Sequence, residues 1–169
     1  MPTETVYGLA GDASSPAAVA KIYAAKERPR FNPLISHLYS LGDAMREGDL
    51  DSRASSLADA FWPGPLTLVV PVTDSTTSCE LSRAGLNTIA LRVPDHPVAR
   101  ELLRACERPL AAPSANRSGR LSPTRATDVA AEFDDGVALV LDGGACRSGL
   151  ESTIVSLLPD EPPRLLRPG

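Results

Sequence analysis

Sixteen prolines are spread through the 169 residues, and they limit how far any helix or strand can run. Proline has no N–H for a ladder or a helix interior, and it pushes the residue before it toward extended backbone. The chain must therefore fold as short, frequently punctuated elements. Leu66–Val72 (L-T-L-V-V-P-V) is nearly all apolar, so a central strand covered on both faces is predicted there. Thr88–Pro94 alternates strictly, putting Ile89, Leu91 and Val93 on one face and Thr88, Ala90 and Arg92 on the other. Leu34–Tyr39 reads as a strand with Ile35, His37 and Tyr39 on one side. Further strands are predicted at Pro109–Pro113, Val137–Leu141 and Ser152–Val155.

Helices fall between them. One runs from a Ser14 or Ser15 cap and Pro16 in the first turn to Lys26, with Pro29 beyond its end. Two more are predicted near Asp43–Arg46 and over Ser52–Phe61, the latter stopped by W-P-G-P at Trp62–Pro65. Asp95 is placed to cap a helix through Pro97, Val98, Leu102 and Cys106, and another spans Ala126–Phe133. Strands mixed with helices, without repeats or a linker, predict one α/β domain.

Composition excludes several classes. A formal charge of −4 leaves no bulk electrostatic footprint for nucleic acid or an anionic membrane, so anion binding must come from a local pocket. Aromatic residues make up only 4% of the chain, so the core must be built from Ala, Val, Leu and Ile. Cys79, Cys106 and Cys146 are odd in number and lack C-x-x-C spacing, which disfavours disulfides and zinc. No apolar run reaches the length of a membrane span and no signal-peptide pattern opens the chain, so the cytoplasm is the expected compartment. The nucleotide-loop and H-E-x-x-H metalloprotease patterns are absent from the sequence, as is the G-x-S-x-G elbow.

The unusual segment is K-E-R-P-R-F-N-P-L-I-S-H, from Lys26 to His37. Val19, Ile22 and Tyr23 recur at helical spacing, and Lys26 is the next member of that apolar series. A buried ammonium needs an anionic partner or it neutralises. Of 17 basic residues only Lys21 and Lys26 are lysines, so a compact point charge is expected to matter at Lys26. The plainer reading is a lysine favoured by the helix dipole and snorkelling at a helix end. His37 beside apolar Ile35 is readable as a satisfied core histidine, and His96, at a helix start, as a surface one. P-S-A-N-R-S-G (Pro113–Gly119) is either a phosphate cradle or a polar turn bonded to itself. P-T-E-T (Pro2–Thr5) and E-S-T (Glu151–Thr153) are further polar clusters.

Taken in order, P-T-E-T-V-Y-G-L, A-K-E-R-P-R-F-N-P-L-I-S-H, W-P-G-P-L-T, A-L-R-V-P, A-A-P-S-A-N-R-S-G, E-S-T-I-V and L-L-R-P-G closely resemble the YrdC/Sua5 family of L-threonylcarbamoyladenylate synthases. The resemblance covers essentially the whole chain, and the K-x-R and S-x-N pair is its most specific part. It implies a twisted mixed β-sheet flanked by helices around a basic cavity. It also implies formation of threonylcarbamoyl-AMP and pyrophosphate from L-threonine, bicarbonate or CO2, and ATP, for N6-threonylcarbamoyladenosine in tRNA. By the same resemblance Lys26, Arg28, Ser114 and Asn116 are the catalytic set facing the phosphates. Arg28, Asn32, Ser114, Ser122 and Arg167 match nucleotide-contacting positions. Thr5, His37, Arg92 and Ser152 surround threonine, with Thr88 and Ala112 on the cavity wall. The strand alternation independently puts Thr88 and Arg92 on one face, and an arginine there suits a carboxylate. Mg2+ is implied, bound mainly through ATP phosphates, with no dedicated protein metal site.

Family members carry a helix and a G-G-x-V-x-F/Y-P strand ahead of P-T-E-T, and here Met1 stands where that strand would end. The sequence is therefore expected to be an N-terminally shortened YrdC-like domain over residues 1–169, without the C-terminal domain of the longer Sua5 form. Separate threonylcarbamoyl transferase proteins acting on tRNA are the implied partners, with at most a weak contact to RNA and none to membrane. Two other readings stand beside the synthase. One is the carbamoyl-adenylate-handling domain of a carbamoyltransferase, which predicts acylphosphatase-like and zinc-finger neighbours not seen here. The other is a YrdC-like RNA-binding module without catalysis, disfavoured by the charge of −4.

Overall fold

A computed structural model describes residues 1–169, the side chain of residue 135 excepted. Seven strands form one mixed sheet: β1 (Gly11–Asp12), β2 (Ile35–His37), β3 (Leu66–Pro71), β4 (Thr88–Arg92), β5 (Leu110–Ala111), β6 (Thr153–Ser156) and β7 (Arg164–Arg167). Their order is β1-β5-β2-β4-β3-β6-β7. The β2–β4 and β3–β6 pairs are parallel, and the others are antiparallel. Around the sheet lie α1 (Pro16–Lys26), α2 (Leu41–Glu47), α3 (Ser52–Phe61), α4 (Pro97–Cys106) and α5 (Ala126–Phe133).

The central pair β3–β4 has two unlike faces. Leu66, Leu68, Val70, Ile89, Leu91 and Val93 are buried against Ala44 of α2 and Ala54 and Ala58 of α3. Gly48 ends α2 close over the sheet: a Cβ there would lie 2.5 Å from Val70 and 2.8 Å from Leu91. Such an approach leaves room only for glycine. The opposite parity, Val69, Ala90 and Arg92, lines a cavity. The period of two read from β4 thus holds, and β3, expected to be covered on both faces, has the cavity over one of them. At the other end of the sheet α1 packs Val19, Ile22 and Tyr23 against Leu34 and Ala111. There α4 packs Ala99 and Leu103 against Leu110 and Ala112.

Four expectations are corrected. No strand forms at 137–141 among the described residues; Val137 and Val140 pack against the Tyr7–Phe133 cluster, while Ala138 and Leu139 are exposed. The segment lines a cleft opposite Leu9 and Gly11 instead of pairing with a strand. β2 ends at His37, and Tyr39 leaves its face to sit beneath the Arg100 guanidinium, 4.7 Å from the ring centroid. His96, not Asp95, caps α4, its Nδ1 accepting from the Val98 N–H at 3.3 Å. His96 is also buried, at 9% exposure, rather than a surface residue.

Candidate active site

α1 delivers the first residues of the site. Ser15 caps it, its hydroxyl accepting from Ala18 N, and Pro16 occupies the first turn. Glu27 then turns left-handed (φ 53°), and its N–H with that of Arg28 closes on the carbonyls of Ala24 and Tyr23. This cap releases the chain so that Arg28 and Asn32 turn into the cavity. Arg28 is pinned as it does so: Nε donates to Asn32 O at 3.2 Å and Nη2 to Pro33 O at 3.1 Å.

The cavity measures about 370 Å³. Its floor is the unhelixed face of the sheet: Ile35 and His37 from β2, Ala90 and Arg92 from β4, Val69 from β3 and Ile154 from β6. The walls are Thr3, Thr5 and Val6; Ala112, Pro113 and Ser114; Arg28 and Asn32 to Leu34; and Glu151, Ser152, Leu166 and Arg167. Arg167 of β7 donates from Nε to Ser152 O at 2.9 Å and from Nη2 to Ser152 Oγ at 3.1 Å. Ser152 Oγ also meets Thr67 Oγ1 at 2.7 Å. The polar rim and the sheet are therefore tied together.

Three arginines line this space, Arg28, Arg92 and Arg167. Burial is the largest influence on each and disfavours its charged form; Arg28 is further opposed by Arg167, and Arg167 by Arg92. They stand as a row of cations that sense one another. Glu151 is the one carboxylate among the lining residues. The Ser122 hydroxyl donates to it and holds it below the usual carboxylate range, with Arg167 acting in the same direction. So depressed a carboxylate is a poor proton acceptor near neutral pH. His37 pairs in register with Arg92 across β2–β4 and is pushed down to about 3, by burial first and by the Arg92 charge second. It is a neutral imidazole at physiological pH. Its Nδ1 meets Ile35 O at 3.2 Å, and the backbone of Ile35 and of Leu110 pulls weakly the other way, toward the protonated ring.

Lys26 is buried on the same face of α1 as Val19, Ile22 and Tyr23, as its place in the apolar series predicts. It is 1% exposed and does not line the cavity. Its Nζ donates to the carbonyls of Ser114, at 2.6 Å, and Asn116. The ammonium thereby clamps the Pro113–Gly119 loop to the end of α1. Burial, then the Arg28 charge, lowers it to about 8, while Glu132 pulls the other way.

Of the other residues singled out in the sequence, Arg28, Asn32, Ser114, Arg167, Thr5, His37, Arg92, Ala112 and Ser152 converge on the cavity. Asn116 does not: its Nδ2 donates to Arg117 O at 2.9 Å and Arg120 O at 2.8 Å, shaping the loop. Ser122 stands behind Glu151. Thr88 shares the face of Arg92 but starts the strand, four residues or about 13 Å away, and is outside the cavity. Sequence reasoning left Glu151, Val69 and Ile154 out of the site. The alternation of β3 carried a signal for Val69, two residues beyond Thr67.

A mixed sheet with helices on one face of its centre and a cavity lined by three arginines on the other defines an α/β domain with a basic pocket. Comparison with known proteins gives its family. The Sua5/YciO/YrdC family model, described as telomere recombination, matches residues 1–169. The chain belongs to that family. It is 47% identical over 169 residues to the threonylcarbamoyl-AMP synthase of Bacillus subtilis strain 168, covering 99% of this chain and 48% of that protein. The structure of Pyrococcus abyssi Sua5 complexed with L-threonine superposes with a TM-score of 0.94 at 46% identity, covering 99% of this chain and 49% of that one. Escherichia coli YciO shares the fold, with a TM-score of 0.83 at 23% identity over 98% of this chain and 80% of that one. The chain spans about half the length of the first curated relatives it matches, 46% to 49%.

Two outcomes follow from these placements. Lys26→Ala leaves two loop carbonyls without their charged donor, so chemical denaturation is expected to show a loss of about 2–4 kcal/mol. A loss under about 0.5 kcal/mol would mean the clamp contributes nothing. His37 gains its proton only near pH 3 when folded but near the ordinary value of 6.5 when unfolded. Its contribution is therefore complete above pH 6.5 and falls as pH drops toward 3, by about 1.4 kcal/mol per unit. Between pH 7 and 5 the wild type should lose about 2 kcal/mol more than His37→Gln; parallel losses would contradict the buried neutral ring.

Proposed function

We propose that this domain makes L-threonylcarbamoyladenylate and pyrophosphate from L-threonine, bicarbonate or CO2, and ATP. The observation that carries the reading is the row Arg28, Arg167, Arg92 with His37, on one cavity of about 370 Å³. A substrate pair with a carboxylate at one end and phosphates at the other matches that row. The threonine complex of the Pyrococcus abyssi relative supports L-threonine as the amino acid.

In this reading Arg92 takes the amino-acid carboxylate, and His37 meets the threonine hydroxyl. Val69, Ala90 and Ala112 leave apolar room for the methyl group. Arg28, Asn32 and Arg167 receive the nucleotide with Ser114. Lys26 acts from behind, holding Ser114 in place, and its positive charge adds to the field at the phosphates.

Once the threonine amine has captured CO2, the carbamate is already an anionic oxygen nucleophile. Its oxygen attacks the α-phosphorus, the bond to the β-phosphate oxygen breaks, and pyrophosphate leaves. No strong general base is required for that step. The work is alignment and neutralisation of charge by fixed arginines in a partly dry site. The amine must first lose a proton, and the depressed Glu151 is poorly suited to take it.

Mg2+ fits the donor set. No cluster of three or more potential ligands occurs among the described residues. Glu151 supplies one hard oxygen at the cavity wall. An ion held mainly by phosphate oxygens needs only one or two protein carboxylates. When bound it supplies charge neutralisation on the phosphates. The whole protein would pass its product to separate transferases acting on tRNA, in the cytoplasm; no helix is long and apolar enough to cross a membrane among the described residues.

The test is pyrophosphate release with ATP, bicarbonate and Mg2+, comparing L-threonine, L-serine and no amino acid. Release is expected to require L-threonine and bicarbonate together. Threonine-independent release, or none from folded protein, would overturn the reading.

A further inference from the structure

We propose that Glu4 is a positioning residue of the amino-acid site, setting which edge of the Arg92 guanidinium faces the cavity. The inference rests on the threonine reading above. Arg92 lines the cavity and Glu4 does not. Their side chains are each 4% exposed, and Nη2 of Arg92 donates to Glu4 Oε1 at 2.7 Å. The other carboxylate oxygen, Oε2, accepts from Asp95 N at 3.1 Å. Arg92 Nε donates to Gly64 O at 3.2 Å.

A guanidinium has five N–H bonds. Nε spends one on Gly64 and Nη2 spends one on Glu4, so 5 − 2 leaves three, on Nη1 and Nη2, that no described residue takes. One N–H from each terminal nitrogen is the end-on fork that grips a carboxylate. Glu4 is itself well anchored. Its carbonyl accepts from Ser148 N at 2.9 Å, and the neighbouring Thr5 carbonyl accepts from Gly149 N at 3.0 Å. The polar cluster P-T-E-T thus reaches the substrate through Arg92.

Charge alone would argue the other way. Glu4 already balances Arg92, so it repels an incoming carboxylate, and removing its charge would tighten binding. Orientation predicts the opposite. In Glu4→Gln the amide turns an NH2 toward either Arg92 or Asp95 N–H, so one anchor is lost whichever way it faces. Losing one bond to a charged group corresponds to about tenfold in affinity.

The experiment is calorimetric titration of the full chain with L-threonine and, separately, with ATP. Glu4→Gln is expected to weaken L-threonine binding about tenfold while ATP affinity stays within about twofold. Glu4→Asp keeps the charge but is one methylene too short to span both partners, so it should show the same selective loss. It serves if the glutamine variant does not fold. Unchanged or tighter threonine binding would overturn the proposal, as would equal loss for both ligands. A wild-type chain that binds no L-threonine removes the amino-acid site and this inference with it. A wild type that binds and variants that match it remove the Glu4 role alone.

Discussion

Arg92 is the constraint on which the site depends. β4 has to serve the core with Ile89 and Leu91 and the cavity with Ala90 and Arg92, so a guanidinium is fixed at the end of a central strand with almost no access to water. A buried cation is tolerable only if it is paired and bonded. Glu4 and the Gly64 carbonyl meet that demand, and each comes from a different loop. Satisfying one charge therefore draws the P-T-E-T segment and the W-P-G-P turn onto the same strand end. Of the two, P-T-E-T also lines the cavity, through Thr3 and Thr5.

The second organising charge is Lys26. It supports the cavity wall from behind, donating to the carbonyls of Ser114 and Asn116. The division of labour is clear. Arg28, Arg92 and Arg167 present donors to the cavity, and Lys26 and Glu4 hold the groups that present them. His37, neutral beside Arg92, adds a polar group without further charge. A row of fixed cations with one half-buried carboxylate is the preorganised surface that the proposed substrates would meet.

Much of this was legible in the sequence. The two-residue period of Thr88–Pro94 assigned both faces of β4 correctly, because burial on one side alone enforces it. Pro16, the serine cap and the stop before Pro29 bounded α1 for equally local reasons. The family resemblance gathered nine of its site residues into one cavity. What escaped was non-local. Val137–Leu141 has strand composition, but among the described residues it pairs with no strand and meets the edge strand β1 only across a cleft. Asp95 looks a better cap than His96, yet the Asp95 carboxylate is taken by Arg147 and its N–H by Glu4. Thr88 has the right parity and the wrong position along the strand. The partner of Lys26 could not be read because a carbonyl belongs to no residue type.

In the proposed function one cavity takes the amino acid by its carboxylate and the nucleotide by its phosphates. The direct measurement is a co-crystal structure of the chain with L-threonine and a non-hydrolysable ATP analogue. The expected result is the threonine carboxylate on the end edge of Arg92, with Glu4 still on its flank, and the phosphates against Arg28, Asn32 and Arg167. Threonine bound away from Arg92, or the nucleotide in the larger cleft of about 690 Å³ between Tyr39, Arg46 and Arg104, would contradict it.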